Sequence, residues 1–120
     1  MAKRRYRAVV TGATRGIGHA IAERLLKDGI EVIVTGTTED ADFPNGASYY
    51  PVDFLDDSKV EAFVQYLKQQ KIDILVNNAG ISKIGEFANI EIDDFDRILK
   101  VNLRTPFLLC QAVIPHMKEN

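Results

Sequence analysis

The chain has 120 residues, of which 46% are hydrophobic and 27% are charged, a composition typical of one globular domain. Its formal net charge of −2 gives no reason to expect a nucleic acid or an anionic membrane surface as a partner. No apolar run reaches the roughly 18 residues needed to span a bilayer, and the one cysteine, which excludes an internal disulfide, is typical of the reducing cytoplasm.

A short basic cluster opens the chain. Lys3, Arg4, Arg5 and Arg7 precede or begin the first apolar run. Because no basic face follows them, we expect a solvated lead-in to the first strand and not a binding arm.

Strand and helix patterns alternate through the first half of the chain. The apolar run over 7–11 predicts the first strand, and an apolar stripe at helical spacing predicts a helix over 16–27 that ends at Gly29. The second strand is predicted over 31–35. The segment 36–47 has little helical periodicity, so we expect one helical turn there at most, in place of the usual crossover helix.

The second half continues the alternation. The predicted elements are a strand over 48–52, a helix to about Gln70, a strand over 72–77 and a helical segment over 93–118. Asp57 or Ser58 can cap the first of these helices. Pro106 and Pro115 should kink or restart the last one, because proline lacks an N–H and clashes one turn back.

The residues Thr11 to Gly18 lie between the first predicted strand and the first predicted helix. Their glycines follow the pattern Gly-x-x-x-Gly-x-Gly, which is neither Gly-x-Gly-x-x-Gly nor a P-loop. A strand, a glycine turn and a helix leave backbone N–H groups and a helix N-terminus available to hold a phosphate. A purely structural turn is the alternative.

The alternation predicts an α/β fold with a parallel sheet covered by helices on both faces. Right-handed connections give the strand order 3-2-1-4, the first half of a Rossmann-type fold. The fourth strand would then be an exposed edge unless another chain covers it.

Three further motifs lie at the ends of predicted elements. Asp53 follows the third strand, Asn77-Asn78-Ala79-Gly80 follows the fourth, and Val101-Asn102 lies in the last helical segment. Together with the glycine loop, and in this order, they resemble the single-domain branch of the short-chain dehydrogenase/reductase family from about Arg7 to about Lys118. Within the family the chain looks most like the 3-oxoacyl-[acyl-carrier-protein] reductases. The resemblance implies an NAD(P)-binding Rossmann domain over 1–120.

The resemblance also implies where the chemistry resides. In the family a Ser and a Tyr-x-x-x-Lys pair lie beyond the Val-Asn motif, and this sequence ends at Asn120 without them. We therefore expect an N-terminal half that is inactive alone. Asn102 is the one catalytic-type residue present, and the resemblance implies that it holds a water and a helix backbone group in a proton relay. An amide buried at a helix kink, with a structural role only, is the alternative.

Several of the expected cofactor contacts have a stated role. Gly12 allows the tight turn, Gly16 allows the pyrophosphate to approach the backbone, and Gly18 allows the helix to pack close to the strand. Asp53 would accept from the adenine amino group, unless it is only a solvated strand end. The segment 77–80 would line the adenosine, unless it is only a cap or turn. The residues expected to contact the cofactor are Gly12, Thr14, Arg15, Gly16, Ile17, Gly18, Thr37, Thr38, Asp53, Asn78, Ala79, Gly80 and Val101.

The end of the second strand favours NADP(H) over NAD(H). An NAD-binding site places a carboxylate there for the ribose 2′-hydroxyl, whereas a 2′-phosphate needs a cation. This chain has Thr37 and Thr38 at that point, and its carboxylates come later, at Glu39 and Asp40. Arg15 is placed to pair with a 2′-phosphate, although an exposed surface arginine is the alternative.

Two hypotheses follow. The first is an NADP(H)-dependent oxidoreductase that reduces a small carbonyl or an acyl-carrier substrate by hydride transfer, present as its cofactor-binding part. The second is a complete, non-catalytic nucleotide-binding or assembly module that needs a partner chain. The resemblance implies a homo-oligomer. The histidines, His19 and His116, have no companions at metal-ligand spacing, so we expect no metal site.

Overall fold

The computed structural model describes residues 4–120, which form a four-stranded parallel sheet with helices on both faces. The strands are β1 (Arg7–Val10), β2 (Glu31–Gly36), β3 (Ser48–Pro51) and β4 (Ile74–Val76). The helices are α1 (Gly16–Lys27), α2 (Asp57–Gln69), α3 (Ile92–Leu99) and α4 (Thr105–Glu119), with a 3₁₀ turn over Phe87–Asn89. The strand order is β3-β2-β1-β4, which confirms the predicted topology and leaves β4 at an edge.

Alternate residues of the central strands face opposite sides of the sheet, and both sides are buried. On one side Val9 and Ile33 pack with Phe63 of α2 and Leu109 of α4. The other side is covered by α1, and the buried residues there are Ala8, Val10, Ala13, Ala22, Val32 and Val34. The chain therefore has two apolar layers, as the alternation of strands and helices predicts.

The first three strands each end within one residue of the prediction, whereas the N-cap of α2 and the bounds of the fourth strand are wrong for identifiable reasons. The N-cap of α2 is Asp56, and neither Asp57 nor Ser58, because the Asp56 carboxylate accepts hydrogen bonds from the backbone N–H groups of Ser58 (3.0 Å) and Lys59 (3.2 Å). The fourth strand covers 74–76 and not 72–77. It ends early because the next backbone N–H groups bond to a side chain at the end of β1, as described below.

The predicted segment over 93–118 consists of two helices. A π-helical stretch over Lys100–Arg104 separates α3 from α4, and Pro106 lies in the first turn of α4. The predicted interruption at Pro106 is confirmed. Pro115 does not restart the helix, since α4 continues to Glu119 and the exposed turn at Gln111 leaves the freed carbonyl accessible to water.

Two long exposed segments connect elements of this framework. The first lies between Gly36 and Ser48 and contains no helix or strand, as predicted. The second segment runs from Ile81 through α3, which has no buried residue, and it includes Ile84 and Phe87, which are 95% and 93% exposed. Among residues 4–120 no helix combines the length and the apolar character that crossing a membrane requires.

Asp73 joins the N-terminal segment to the end of α4. Its side chain is 10% exposed and accepts hydrogen bonds from the backbone N–H of Arg7 (2.9 Å), from the Arg4 guanidinium and from His116 Nε2 (3.2 Å). Arg7 pairs with Glu31 at 2.9 Å. Residues 4–6 are exposed, as expected of a solvated lead-in, but Arg4 and Arg7 also neutralise carboxylates at the base of the sheet; Lys3 lies outside the described residues.

We predict that Asp73→Asn destabilises the fold by about 2 kcal/mol at neutral pH, because it leaves charged, partly buried partners without their carboxylate. Burial by itself raises the pKa of Asp73, but the hydrogen bonds from Arg7 and His116 and the charge of Arg4 outweigh it and lower the pKa. The stabilisation is therefore full above the ordinary Asp pKa of about 3.9 and disappears as the pH falls through the lowered value. Urea unfolding of both proteins as a function of pH measures this.

The matched control is Asp28→Asn, because Asp28 forms an exposed pair with Arg24 at 3.3 Å on the surface of α1. We expect this control to change stability by less than about 0.5 kcal/mol. Equal effects of the two substitutions, or a difference for Asp73→Asn that does not shrink in acid, would contradict the role given to Asp73.

Candidate functional site

The carboxyl ends of β1, β2 and β4 meet at one edge of the sheet, where the glycine loop leaves β1. The chain passes from β1 to β2 on one side and reaches β4 on the other, so β1 lies at the point where the connections reverse direction. Crevices at such points bind ligands in open α/β sheets. The candidate site is therefore the edge that includes the glycine loop (residues 11–18), the segment after β2 and the segment after β4.

The hydroxyl of Thr11 ties the end of β4 to the end of β1. Thr11 is 1% exposed, and its Oγ1 accepts hydrogen bonds from the backbone N–H groups of Asn78 (3.1 Å) and Ala79 (3.0 Å). Its own N–H donates to the carbonyl of Val76 at 3.1 Å. These bonds divert the chain after β4 across the end of β1.

Thr35 has the equivalent role at the end of β2. It is 2% exposed; its Oγ1 accepts from the N–H of Gly12 at 3.1 Å, and its carbonyl accepts from the N–H of Ala13 at 3.0 Å. The glycine loop is thus fastened to β2 on one side and to the β4 segment on the other. The sequence patterns indicated no role for Thr35 or for the Thr11 hydroxyl, and the available signal was a threonine at the end of each buried apolar strand.

The three glycines of the loop have different surroundings. A Cβ on Gly12 would lie 2.8 Å from Ala79 Cα, and a Cβ on Gly18 would overlap Asn78 Nδ2 and lie 2.5 Å from the Gly12 carbonyl oxygen. Both glycines are thus required by the packing of the protein itself. Gly16 has a φ of +62°, and no atom lies within 4 Å of the position that a Cβ would occupy there. Its surroundings are open, which leaves room for a ligand beside the backbone.

Asn78 and Ala79 contact the loop, and Gly80 lies exposed at its border. The Asn78 side-chain amide donates to the carbonyls of Thr11 (3.2 Å) and Gly12 (3.0 Å), so both of its protons hold the glycine loop in place. Ala79 contacts Gly12, whereas Gly80 is exposed. The bracing geometry of Asn78 fits the structural alternative stated for 77–80, while the backbone near Gly80 stays accessible.

Asn102 holds the segment that follows this turn. Its Nδ2 donates to the carbonyl of Ile81 at 2.8 Å, and its Oδ1 accepts from the N–H of Ile81 at 2.9 Å. Asn102 lies at the helix interruption but is exposed, so the burial assumed in the structural alternative is wrong, although both polar side-chain atoms do bond to the backbone of Ile81. Val101, next to it, is 6% exposed and its side chain lies in the core, which leaves only its backbone for a cofactor.

The remaining predicted cofactor residues of the loop line the accessible side of the edge. Ile17 is 75% exposed in the first turn of α1, and Arg15 precedes that helix with an exposed side chain. Among residues 4–120 the Arg15 guanidinium makes no ion pair. A Cβ on Gly36 would lie 2.5 Å from Thr14 Cγ2, so the glycine loop and the end of β2 are in contact.

The polar residues after β2 and β3 are exposed, and some of their side-chain atoms already form hydrogen bonds within the protein. Thr37 and Thr38 follow β2, and the Thr38 hydroxyl donates to the carbonyl of Asp40 at 3.1 Å. One oxygen of Asp53 accepts from the N–H of Leu55 at 3.0 Å, which leaves the other oxygen for a ligand.

The arrangement can bind an anion at the start of α1. Among the described residues no side chain caps that helix and no acidic residue lies in its first turn, so its first N–H groups and the positive end of its dipole face the open space at Gly16. A diphosphate is the type of ligand that such a turn holds. Within residues 4–120 no group of three or more His, Cys, Asp or Glu side chains is placed to hold a metal ion.

Comparison with known proteins places this geometry in context. Residues 6–120 match the family described as short chain dehydrogenase. A 3-oxoacyl-[acyl-carrier-protein] reductase of Buchnera aphidicola is 38% identical over 121 residues, which are 94% of this chain and 50% of that protein. The chain spans about half the length of the curated relatives it matches.

Two of the solved structures that share the fold illustrate the similarity. A blue fluorescent protein from a metagenomic library, crystallised in complex with NADPH, is 31% identical with a TM-score of 0.81; the match covers 93% of this chain and 51% of that one. A short-chain dehydrogenase from Streptomyces avermitilis is 28% identical with a TM-score of 0.87, over 99% of this chain and 47% of that one.

We predict that Thr11→Val destabilises the fold by about 2 kcal/mol, because the shape is kept while the partly buried N–H of Ala79 loses its acceptor and the N–H of Asn78 keeps only the carbonyl of Val76. The matched control is Thr105→Val, since the Thr105 hydroxyl is buried without a hydrogen-bond partner among the described residues. That control should be neutral or stabilising. Denaturant unfolding of the three proteins is the measurement, and a Thr11→Val protein as stable as the control would contradict the bracing role.

Proposed function

The chain belongs to the short-chain dehydrogenase family, and we propose that its glycine-loop edge binds NADP(H) as the cofactor-binding part of an oxidoreductase. The activity is hydride transfer between the nicotinamide and a carbonyl carbon. The observation that carries the proposal is the open space beside the positive-φ backbone of Gly16, at the uncapped start of α1. The metagenomic relative of similar fold, which binds NADPH, supports the same assignment.

The diphosphate would lie across the backbone at Gly16 and Ile17. Gly12 and Gly18 are committed to contacts within the protein, whereas Gly16 presents its backbone to open space. A phosphate there would accept hydrogen bonds from the first free N–H groups of α1. The exposed Ile17 side chain stands at the border of this space and can cover the ligand.

The adenosine would lie over the ends of β2 and β3. Thr14 and Tyr49 cover the buried backbone of Gly36, so the ribose would lie against the exposed residues Thr37 and Thr38 that follow β2. The free oxygen of Asp53 would accept from the adenine amino group, and the backbone of Gly80 would border the adenosine on the β4 side. Arg15 supplies the cation that a 2′-phosphate needs, and no carboxylate lies at 36–38.

The names of the relatives support a proposal for the substrate class. The Buchnera protein is named for reduction of a 3-oxoacyl group on the acyl-carrier protein, and we propose a carbonyl of that class. No tyrosine in this sequence is followed by a lysine four residues later. The chemical step would therefore depend on groups other than these 120 residues, and Asn102 would contribute by fixing the backbone of Ile81 at the border of the site.

A second candidate function is a nucleotide-binding or assembly module that acts through a partner chain. The segment from Ile81 through α3 favours it, because apolar side chains such as Ile84 and Phe87 are almost fully exposed there. Reductase activity that appears when the C-terminal half of a relative is added would favour the first function. Dinucleotide binding that never leads to turnover would favour the second.

We predict that Gly16→Ala weakens NADPH binding by more than about tenfold, because the new methyl group occupies the space for the diphosphate. Gly29→Ala is the matched control: Gly29 also has a positive φ (+82°) and open surroundings, but it lies at the far end of α1. Both variants carry a similar backbone strain of about 1 kcal/mol. Titration calorimetry should show a loss for Gly16→Ala only; equal affinities would remove the diphosphate from this loop.

We also predict that Arg15→Ala weakens NADPH binding by about tenfold or more and changes NADH binding by less than about twofold, because one charge-assisted contact to the 2′-phosphate is lost. Arg24→Ala, on the exposed face of α1, is the control and should leave both affinities unchanged. An unchanged NADPH affinity in Arg15→Ala would show that another group selects the coenzyme.

A further inference from the structure

We propose that Tyr49 is a positioning residue for coenzyme selectivity, an inference that rests on the proposed binding of NADP(H). Tyr49 lies in β3, paired in register with Val34 of β2. Its phenol hydroxyl donates a hydrogen bond of 2.5 Å to the carbonyl of Thr38. Thr38 belongs to the segment after β2, which is where this type of fold distinguishes a ribose hydroxyl from a phosphate.

The segment after β2 has few other restraints. It replaces a crossover helix and forms neither helix nor strand between Gly36 and Ser48. Within residues 4–120, the bond from Tyr49 is the one hydrogen bond that joins the backbone of residues 37–43 to another element. The Phe43 ring also stacks on the Tyr49 ring, with centroids 5.2 Å apart and planes inclined by 7°. Tyr49 thus holds both the start and the middle of the segment.

Tyr49 also contacts the edge where the ribose would lie. A Cβ on Gly36 would be 2.7 Å from the Tyr49 hydroxyl oxygen and 2.5 Å from Thr14 Cγ2. The phenol, the end of β2 and the glycine loop therefore meet at one point. Any displacement of Thr38 relative to Tyr49 alters the group of atoms that surrounds this point.

The acidic side chains that follow Thr38 make its position matter for coenzyme selectivity. Glu39, Asp40 and Asp42 are exposed and line, with Phe43, an open cavity of about 430 Å³. The bond from the Thr38 hydroxyl to the Asp40 carbonyl sets the turn from which this acidic run departs. If Thr38 is released from Tyr49, the carboxylates of Glu39 and Asp40 can reach the ribose. There they would repel a 2′-phosphate and would accept a hydrogen bond from a 2′-hydroxyl.

The test is the ratio of NADPH to NADH affinity, measured by titration calorimetry on Tyr49→Phe. This variant keeps the ring and its stacking on Phe43 and removes only the hydroxyl. We expect the ratio to fall about fivefold, the effect of one neutral hydrogen bond. Replacing the two carboxylates in the same protein, as Tyr49→Phe with Glu39→Gln and Asp40→Asn, should restore the ratio, which a merely structural role of Tyr49 would not produce.

The matched control is Tyr50→Phe, since Tyr50 is the next residue in β3 and packs on the opposite side of the sheet with Phe63 and Tyr66. The ratio of NADPH to NADH affinity of Tyr50→Phe should equal that of the wild type. A wild type that prefers NADPH, combined with an unchanged ratio in Tyr49→Phe or with equal losses for both coenzymes, overturns the role of Tyr49 alone. A wild type that binds neither dinucleotide overturns the proposed function and this inference together.

Discussion

Two buried threonine hydroxyls determine the shape of the candidate site. Thr11 and Thr35 end the two central strands, and each accepts hydrogen bonds from backbone N–H groups of a neighbouring turn. Without these acceptors the partly buried N–H groups of Gly12 and Ala79 would be left unsatisfied, at a cost of about 1–3 kcal/mol each, and the N–H of Asn78 would keep only the carbonyl of Val76. The glycine loop is therefore positioned by hydrogen bonds to the ends of the sheet as well as by packing within the loop itself.

This arrangement divides the loop into a packed part and an open part. Gly12 and Gly18 lack side chains because Ala79, Asn78 and the loop carbonyl occupy the space a Cβ would need. Gly16 has open surroundings, so the requirement for glycine there comes from the backbone conformation and from whatever approaches it. A rigid frame with one open backbone position is what binding of a diphosphate needs, because the N–H groups are oriented before the ligand arrives.

The sequence was sufficient for the topology, because strand and helix periodicities alternate clearly and right-handed connections leave one strand order. It was insufficient where a contact between residues far apart in the chain determines where an element ends. The end of β4 depends on the hydroxyl of Thr11, 65 residues earlier in the chain, and threonine in an apolar strand is also simply a good strand former. Similarly, three successive residues at 56–58 can each cap α2, and only the local backbone selects Asp56. The contact between Tyr49 and Thr38 has no sequence signature at all.

The central claim is that one edge of the sheet, from the glycine loop to the end of β2, receives a dinucleotide. The most direct measurement is an amide-resolved NMR titration of this chain with NADPH. We predict progressive shifts at residues 15–18 and 36–38, with no change at residues 24–29 at the other end of α1. The claim would be contradicted if NADPH saturated the protein with chemical-shift changes confined to other residues. It would also be contradicted if millimolar NADPH caused no chemical-shift changes.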